Sequence, residues 1–235
     1  MSRHFKIVFL TRFLGYFALQ VGLIAIILTI EPVVSEEFKY RTDQLFGRRY
    51  TLPQVVTSAG TSSTPTSLSE DKQNTGFGGL SGGNTEIITP VSTDFGLVIE
   101  KINANAKIIP NVDPSNEKEY LDALSKGIAH AKGTHFPGEK GNIYLFSHST
   151  DAPWNFVRYN AIFYLLNKLE IGDRVILFYK GRRYDYIVFD KTVVSPTETS
   201  YLTNHYDEEI LTLQTCDPPG TTINRLIVRA KRAGT

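Results

Sequence analysis

Cysteine is almost absent from this chain: its 235 residues hold one, Cys216. A single thiol cannot close an intramolecular disulfide, so no such staple supports the fold. There is also no CxxC pair, no HExxH, no EF-hand loop and no glycine-rich phosphate cradle, and with them go the metal and nucleotide sites those patterns build. Neither a metal nor a cofactor is expected. An excess of one charge is missing too. Lys and Arg number 25 against 24 Asp and Glu, a formal net charge of +1. That is not the polycationic footprint nucleic-acid binding uses, so nucleic acid is not an expected partner. No internal repeat is visible.

What is present centres on that one cysteine. Cys216 ends the run Ile210-Leu211-Thr212-Leu213-Gln214-Thr215, which alternates as a strand, and precedes the turn Asp217-Pro218-Pro219-Gly220. The run Arg225-Leu226-Ile227-Val228-Arg229-Ala230 alternates again, so the two read as an antiparallel hairpin. If the apolar residues face each other, Leu213 pairs with Val228 and Leu211 with Ala230, which sets Arg225 directly opposite Cys216. A cation there favours a thiolate, and a guanidinium can hydrogen-bond an oxyanion as an acyl carbon becomes tetrahedral. Nucleophilic catalysis is one reading of Cys216; a buried, inert thiol is the other.

A thiol acyl-transfer site needs a base. Of His4, His130, His135, His148 and His205, only His148 ends a run that is apolar on both faces, Asn142-Ile143-Tyr144-Leu145-Phe146-Ser147. Such a run reads as a central strand, and a polar residue at its end faces a cleft rim. The other four histidines are expected to be solvated or hydrogen-bonded side chains.

Thr212-Leu213-Gln214-Thr215-Cys216 resembles the T-L-x-T-C signature of sortases, the membrane-anchored cysteine transpeptidases of bacterial surfaces, and Arg225 stands where their arginine is expected. The stretch from Gly127-Ile128-Ala129-His130 through Gly133-Thr134, Pro137-Gly138-Glu139 and Gly141-Asn142 to Ser147-His148 is similar to the sortase segment that delivers the histidine. The resemblance spans residues 94 to 235 and implies a catalytic triad of His148, Cys216 and Arg225, with Thr215 lining the substrate groove or helping the oxyanion site. Leu213 and Tyr201 are taken with Thr215 as substrate-binding. The segment Ser149-Thr150-Asp151-Ala152-Pro153-Trp154 departs from the best-known sortase pattern, which leaves the subclass open. The implied reaction cleaves an LPxTG-like sorting motif in surface proteins through a thioacyl intermediate. The acyl group then passes to an amine, a cell-wall precursor or a pilin lysine. A thiol peptidase that only hydrolyses, and a silent membrane-tethered peptide-binding module, are the alternatives.

The N-terminus places this chemistry. Phe13 to Ile30 carries no charge, is long enough to span a bilayer, and has Arg3, Lys6 and Arg12 before it and Glu31, Glu36 and Glu37 after it. The positive-inside rule then puts residues 1–12 in the cytoplasm, 13–30 in the membrane as a single-pass signal anchor, and the catalytic domain outside. The competing reading is a cleaved signal peptide, but no A-x-A site follows Ile30. Residues 31–93 read as a helical or extended stalk followed by a Ser/Thr/Gly-rich flexible linker, whose roughly 35 Å reach would hold the domain off the bilayer.

Residues 94–235 form the catalytic domain, and its fold class is mainly β. Strands are expected over Phe95 to Ile102 and Ala106 to Ile109, a short helix over Glu117 to Leu124, and a helix over Phe156 to Leu169. A hairpin follows from Arg174 to Phe189, turning at Lys180-Gly181. Seven or eight strands with short helices fit a small closed barrel, which the resemblance also implies. The loop from Val193 to Glu209 would wall the groove, with Pro196, Tyr201 and Leu202 as peptide contacts. The acidic run Asp207-Glu208-Glu209 is read as a solvated strand entry rather than a calcium site.

Overall fold

The computed structural model describes residues 3–52, 85–149 and 162–234. Eight strands close into a barrel: β3 (Phe95–Ile99), β4 (Ala104–Val112), β5 (Ile128–Ala131), β6 (Gly141–Phe146), β7 (Arg174–Tyr179), β8 (Arg182–Val194), β9 (Glu209–Asp217) and β10 (Asn224–Arg232). Around the barrel the order is β10-β8-β7-β3-β4-β5-β6-β9. Mainly β with short helices is thus the observed class. Two earlier short strands, β1 (Arg49–Thr51) and β2 (Thr85–Ile87), pair in parallel outside the barrel.

Alternation explains the core. Leu211 and Leu213 on β9, Leu226, Val228 and Ala230 on β10, and Tyr184, Tyr186 and Val188 on β8 all point inward and are buried together. Strand β3 is buried on both faces. Phe95, Leu97 and Ile99 fill the barrel, while Val98 packs outward with Ile176 against Leu52 and Ile88 from the N-terminal arm. Two neighbouring pairs are parallel, β4 with β5 and β6 with β9. A parallel pair needs a crossover, and α2 (Glu117–Lys126) supplies it between β4 and β5. Asn116 caps it by accepting from the Glu119 amide, and Ala123 and Leu124 pack on Val112 and Ala129. Gly127 ends it where a side chain cannot fit: a Cβ there would sit 2.4 Å from the Lys107 carbonyl oxygen.

Three elements differ from expectation. The first strand stops at Ile99; Glu100–Ile102 is a 3₁₀ turn, and Asn103 takes a left-handed conformation (φ 50°) that asparagine tolerates. Of the helix expected over 156–169, residues 156–161 lie outside the described residues. The described part is a 3₁₀ helix, Tyr164–Lys168. Phe163, Leu166 and Leu169 are all fully buried, and their spacing of three is the 3₁₀ period rather than the α period.

The third difference concerns the N-terminal arm. Helix α1 runs from Arg3 to Leu45, and its apolar window, Val8–Ala25 with mean hydropathy 1.6, is wholly exposed on the protein. Its far end rests on the barrel. Glu37 pairs with Lys168 at 3.0 Å, Tyr40 packs against the core, and Asp43 accepts the Tyr50 hydroxyl at 2.8 Å. The amide of Leu52 donates to Glu100. Most of the expected linker, 53–84, lies outside the described residues, but its flanks are paired side by side, Thr51 against Ile87. Among the described residues the end of α1 is thus held to the barrel directly, through contacts that do not run by way of the linker.

Candidate active site

Strands β9 and β10 pair in the register the apolar pattern requires: Leu213 with Val228, Leu211 with Ala230, and Arg225 with Cys216. Directly opposed residues hold their Cβ atoms about 4.5–5.5 Å apart, so thiol and guanidinium share one surface. They lie in a cleft of about 560 Å³ on the outer face of the barrel. Its floor is β6 and β9, through Tyr144, Phe146, Gln214 and Cys216. One wall is α2 with its leading turn (Pro114, Tyr120, Leu121, Leu124), and the facing wall is the β8–β9 connection (Pro196, Glu198, Thr199, Leu202). The β9–β10 loop, Gly220 to Thr222, closes the end beside Arg225.

His148 lines the same cleft, two residues beyond β6. Its backbone is fastened on both sides. The Ser147 amide donates to the Gln214 carbonyl at 3.2 Å, the Thr215 hydroxyl donates to the Ser147 carbonyl at 3.0 Å, and the Phe163 amide donates to the His148 carbonyl at 3.3 Å. The residue before the cysteine thus ties down the segment that carries the histidine. Since Thr215 has one hydroxyl proton and spends it on Ser147, it lines the cleft without being free to donate to an oxyanion.

Cys216 is half-buried. Burial pushes its thiol above the ordinary value, and the Arg225 charge pulls it back only in part. Arg225 therefore acts in the expected direction, but desolvation outweighs it, and the resting cleft favours thiol over thiolate. The guanidinium is held at the loop by donating from Nη1 to the carbonyls of Thr222 and Asn224, at 3.2 and 3.1 Å. Among the described residues no carboxylate pairs with Arg225, which lines the cleft without a competing anion.

Two residues expected in the groove stand elsewhere. Leu213 is fully buried in the barrel core, because its side chain points to the face opposite Gln214 and Cys216. Tyr201, on the short helix α3 (Ser200–Thr203), lies under the Arg229 guanidinium at 5.4 Å, while its neighbour Leu202 takes the place on the cleft wall. The cleft residues missed include the α2 wall and, on the floor, Tyr144 and Gln214. The signal was available: Gln214 alternates in phase with Cys216, and Tyr144 carries a hydroxyl in an otherwise apolar strand.

His130 is hydrogen-bonded, as expected, and fully buried. Its Nδ1 accepts the Asn111 amide at 3.3 Å and its Nε2 bonds the His135 carbonyl at 3.0 Å; burial lowers its pKa. Glu209, from the acidic run, accepts from the Tyr186 hydroxyl and the Gly138 amide. Among the described residues no group of three or more His, Cys, Asp or Glu side chains could hold a metal.

A family model for the sortase domain matches residues 97–233. The chain belongs to the sortase family. Sortase D of Bacillus subtilis (strain 168) is 30% identical over 139 residues, which make up 58% of this chain and 62% of that relative. The match thus spans less than two thirds of the relative's length. Among solved structures, sortase C-1 from Actinomyces oris aligns at 28% identity and a TM-score of 0.51, covering 62% of this chain and 77% of that one. Sortase A from Corynebacterium diphtheriae aligns at 26% identity and a TM-score of 0.51, covering 60% of this chain and 61% of that one. Sortases named A, C and D match at similar identities, so these matches give the family and not the subclass.

Proposed function

We propose that this sortase is a membrane-tethered cysteine transpeptidase in which Cys216 is the nucleophile, His148 the acid and base, and Arg225 the oxyanion partner. The observation that carries the reading is the direct pairing of Cys216 with Arg225 at the end of a cleft that His148 also lines. Because burial keeps the resting thiol protonated, His148 takes the thiol proton as Sγ attacks a peptide carbonyl carbon. The carbonyl oxygen gathers negative charge and Arg225 donates to it. The C–N bond then breaks, the imidazolium gives its proton to the departing amine, and a thioester remains on Cys216. An incoming amine, relieved of a proton by His148, attacks the thioester, and the C–S bond breaks as a new amide forms.

The substrate is a short LPxTG-like sorting motif on surface proteins, and the acceptor is a cell-wall amine or a pilin lysine. The cleft supports a peptide because it is an open trough, with apolar side chains on the α2 wall and polar groups along the floor. Its place is the outer face of the membrane, with the apolar stretch of α1 as anchor and residues 1–12 inside. The test is incubation of the full chain in detergent with sorting peptides and an amine acceptor, read by mass spectrometry. Ligated product supports transpeptidation. Hydrolysis alone makes the protein a thiol peptidase, and neither product, with Cys216 still open to alkylation, leaves a peptide-binding module. For the anchor, the chain is expected to resist carbonate extraction from membranes and to be cut by external protease within residues 51–91. Cleavage only from the cytoplasmic side would reverse the topology.

A further inference from the structure

Two hydroxyl–amide pairs bridge β6 and β9, one step apart along the same strands. In the first, Thr212 donates its hydroxyl to Asn142 Oδ1 at 2.7 Å, and Asn142 Nδ2 donates to the backbone carbonyl of Tyr201 at 2.8 Å. The second has the same parts: Tyr144 donates its hydroxyl to Gln214 Oε1. Here, however, Gln214 Nε2 donates to no group among the described residues. It lies at the cleft floor, with Phe146 and Cys216 beside it and the β8–β9 connection as a wall, and no other described residue takes its N–H groups.

Tyr144 is buried, its exposure only 5%, and its ring stands beneath the floor with the hydroxyl fixed on Gln214. That bond decides which end of the amide faces the cleft. Oε1 is used, so the two N–H donors are presented outward. Gln214 precedes Cys216 by two residues on one strand and faces the same way, so their side chains leave the floor about 7 Å apart. An extended peptide repeats same-face groups at that interval as well.

Building on the transpeptidase reading, we propose that Gln214 is a substrate-positioning residue, whose Nε2 takes a backbone carbonyl of the bound peptide just as Asn142 Nδ2 takes that of Tyr201, with Tyr144 fixing the amide. It thereby registers an extended peptide so that the scissile carbonyl meets Cys216. A carbonyl is the group read, not a side chain, so Gln214 sets register rather than sequence.

The experiment uses the full chain with Cys216→Ala, so that peptide binding is measured without turnover, and a sorting peptide that the unsubstituted protein processes. Adding Gln214→Leu is expected to weaken binding about tenfold, the scale of one neutral hydrogen bond in a desolvated site. Tyr144→Phe is expected to weaken it two- to threefold, because the amide can then rotate. A peptide series with each backbone C=O replaced in turn by CH₂ identifies the partner. One replacement should weaken binding to the Gln214 protein about tenfold and have no further effect on Gln214→Leu. In the Cys216 protein, Gln214→Leu should raise KM more than it lowers kcat and leave the alkylation rate of Cys216 in place. Any fall in Tm, from the Tyr144 hydroxyl losing its acceptor, is expected to be shared only in part by Tyr144→Phe. Equal binding with and without Gln214→Leu, or equal losses in both proteins for every replaced carbonyl, would overturn the proposal. If no peptide is processed by the unsubstituted protein, the transpeptidase reading fails first and this one falls with it.

Discussion

The barrel contains two neighbouring hairpins that share strand β8's edge and little else. The β7–β8 hairpin turns in two residues, Lys180 and Gly181, both at positive φ (49° and 73°). That is the type I′ geometry whose twist suits paired strands. The β9–β10 hairpin turns through six residues, Pro218 to Ile223, between strands that end at Asp217 and resume at Asn224. In the first, the turn itself dictates the register. In the second, a wide loop dictates nothing, and the register comes from Leu211, Leu213, Val228 and Ala230 meeting in the core. The wide mouth is what leaves Cys216 and Arg225 open to a cleft. A tight turn at that end would leave no room for a peptide, so the hairpin stabilised farther from its turn is the one able to carry chemistry.

Cys216→Ala should separate the two hairpins most clearly. Turnover with any sorting peptide is expected to vanish while Tm stays near that of the unsubstituted chain, since the residue lies at the strand end and not in the core. Retained activity would end the nucleophile assignment. Next in size is Arg225→Lys, which keeps the charge but loses the planar fork. We expect kcat/KM to fall about 10²-fold, the scale of a deleted oxyanion donor, with Tm unchanged. A large fall in Tm with activity falling in proportion would make Arg225 a structural tie of the hairpin instead.

The tight hairpin should respond in the opposite way. Gly181→Ala places a Cβ where nothing lies within 4 Å, so its cost is purely conformational, about 1–2 kcal/mol for a left-handed alanine. Tm is expected to drop by a few degrees while kcat/KM per folded molecule does not move. Loss of activity at constant Tm would show that the two hairpins are coupled.

The finest test is the pH dependence of Cys216 alkylation. Burial raises the thiol pKa and the Arg225 charge lowers it, so the rate should climb with pH through a midpoint above that of an ordinary cysteine. Arg225→Gln removes the lowering charge and should move the midpoint further up. A midpoint that moves down, or stays, would show that the guanidinium does not act on the thiol.

Much of this was legible from the chain, and the reasons differ by element. The Cys216–Arg225 pairing could be read because a period of two admits only one register that buries both apolar faces. The Lys180-Gly181 turn could be read because positive φ at both positions leaves few residue choices. The 3₁₀ helix could not, because Phe163, Leu166 and Leu169 lie within an apolar stretch that fits either helical period until the core selects one. Leu213 was misplaced for a different reason. A motif letter beside a reactive residue reads as functional, yet alternation turns Leu213 away from Gln214 and Cys216 and into the barrel core.

Which residues alternate, where the chain turns, that one apolar stretch is long enough to cross a membrane, and that a single thiol stands opposite an arginine are all written in the chain. These follow from local periodicity and from composition, which need no knowledge of distant contacts. Tertiary structure alone decided the rest. It brought β6 beside β9, so that His148 shares a cleft with Cys216 although they stand 68 positions apart in the chain. It set burial against charge at the thiol, and burial prevailed because the desolvation of Cys216 depends on walls supplied by α2 and the β8–β9 connection. It also docked the end of α1 on the barrel through Glu37, Tyr40 and Asp43, because only the assembled surface offers Lys168 and Tyr50 where those side chains can reach them.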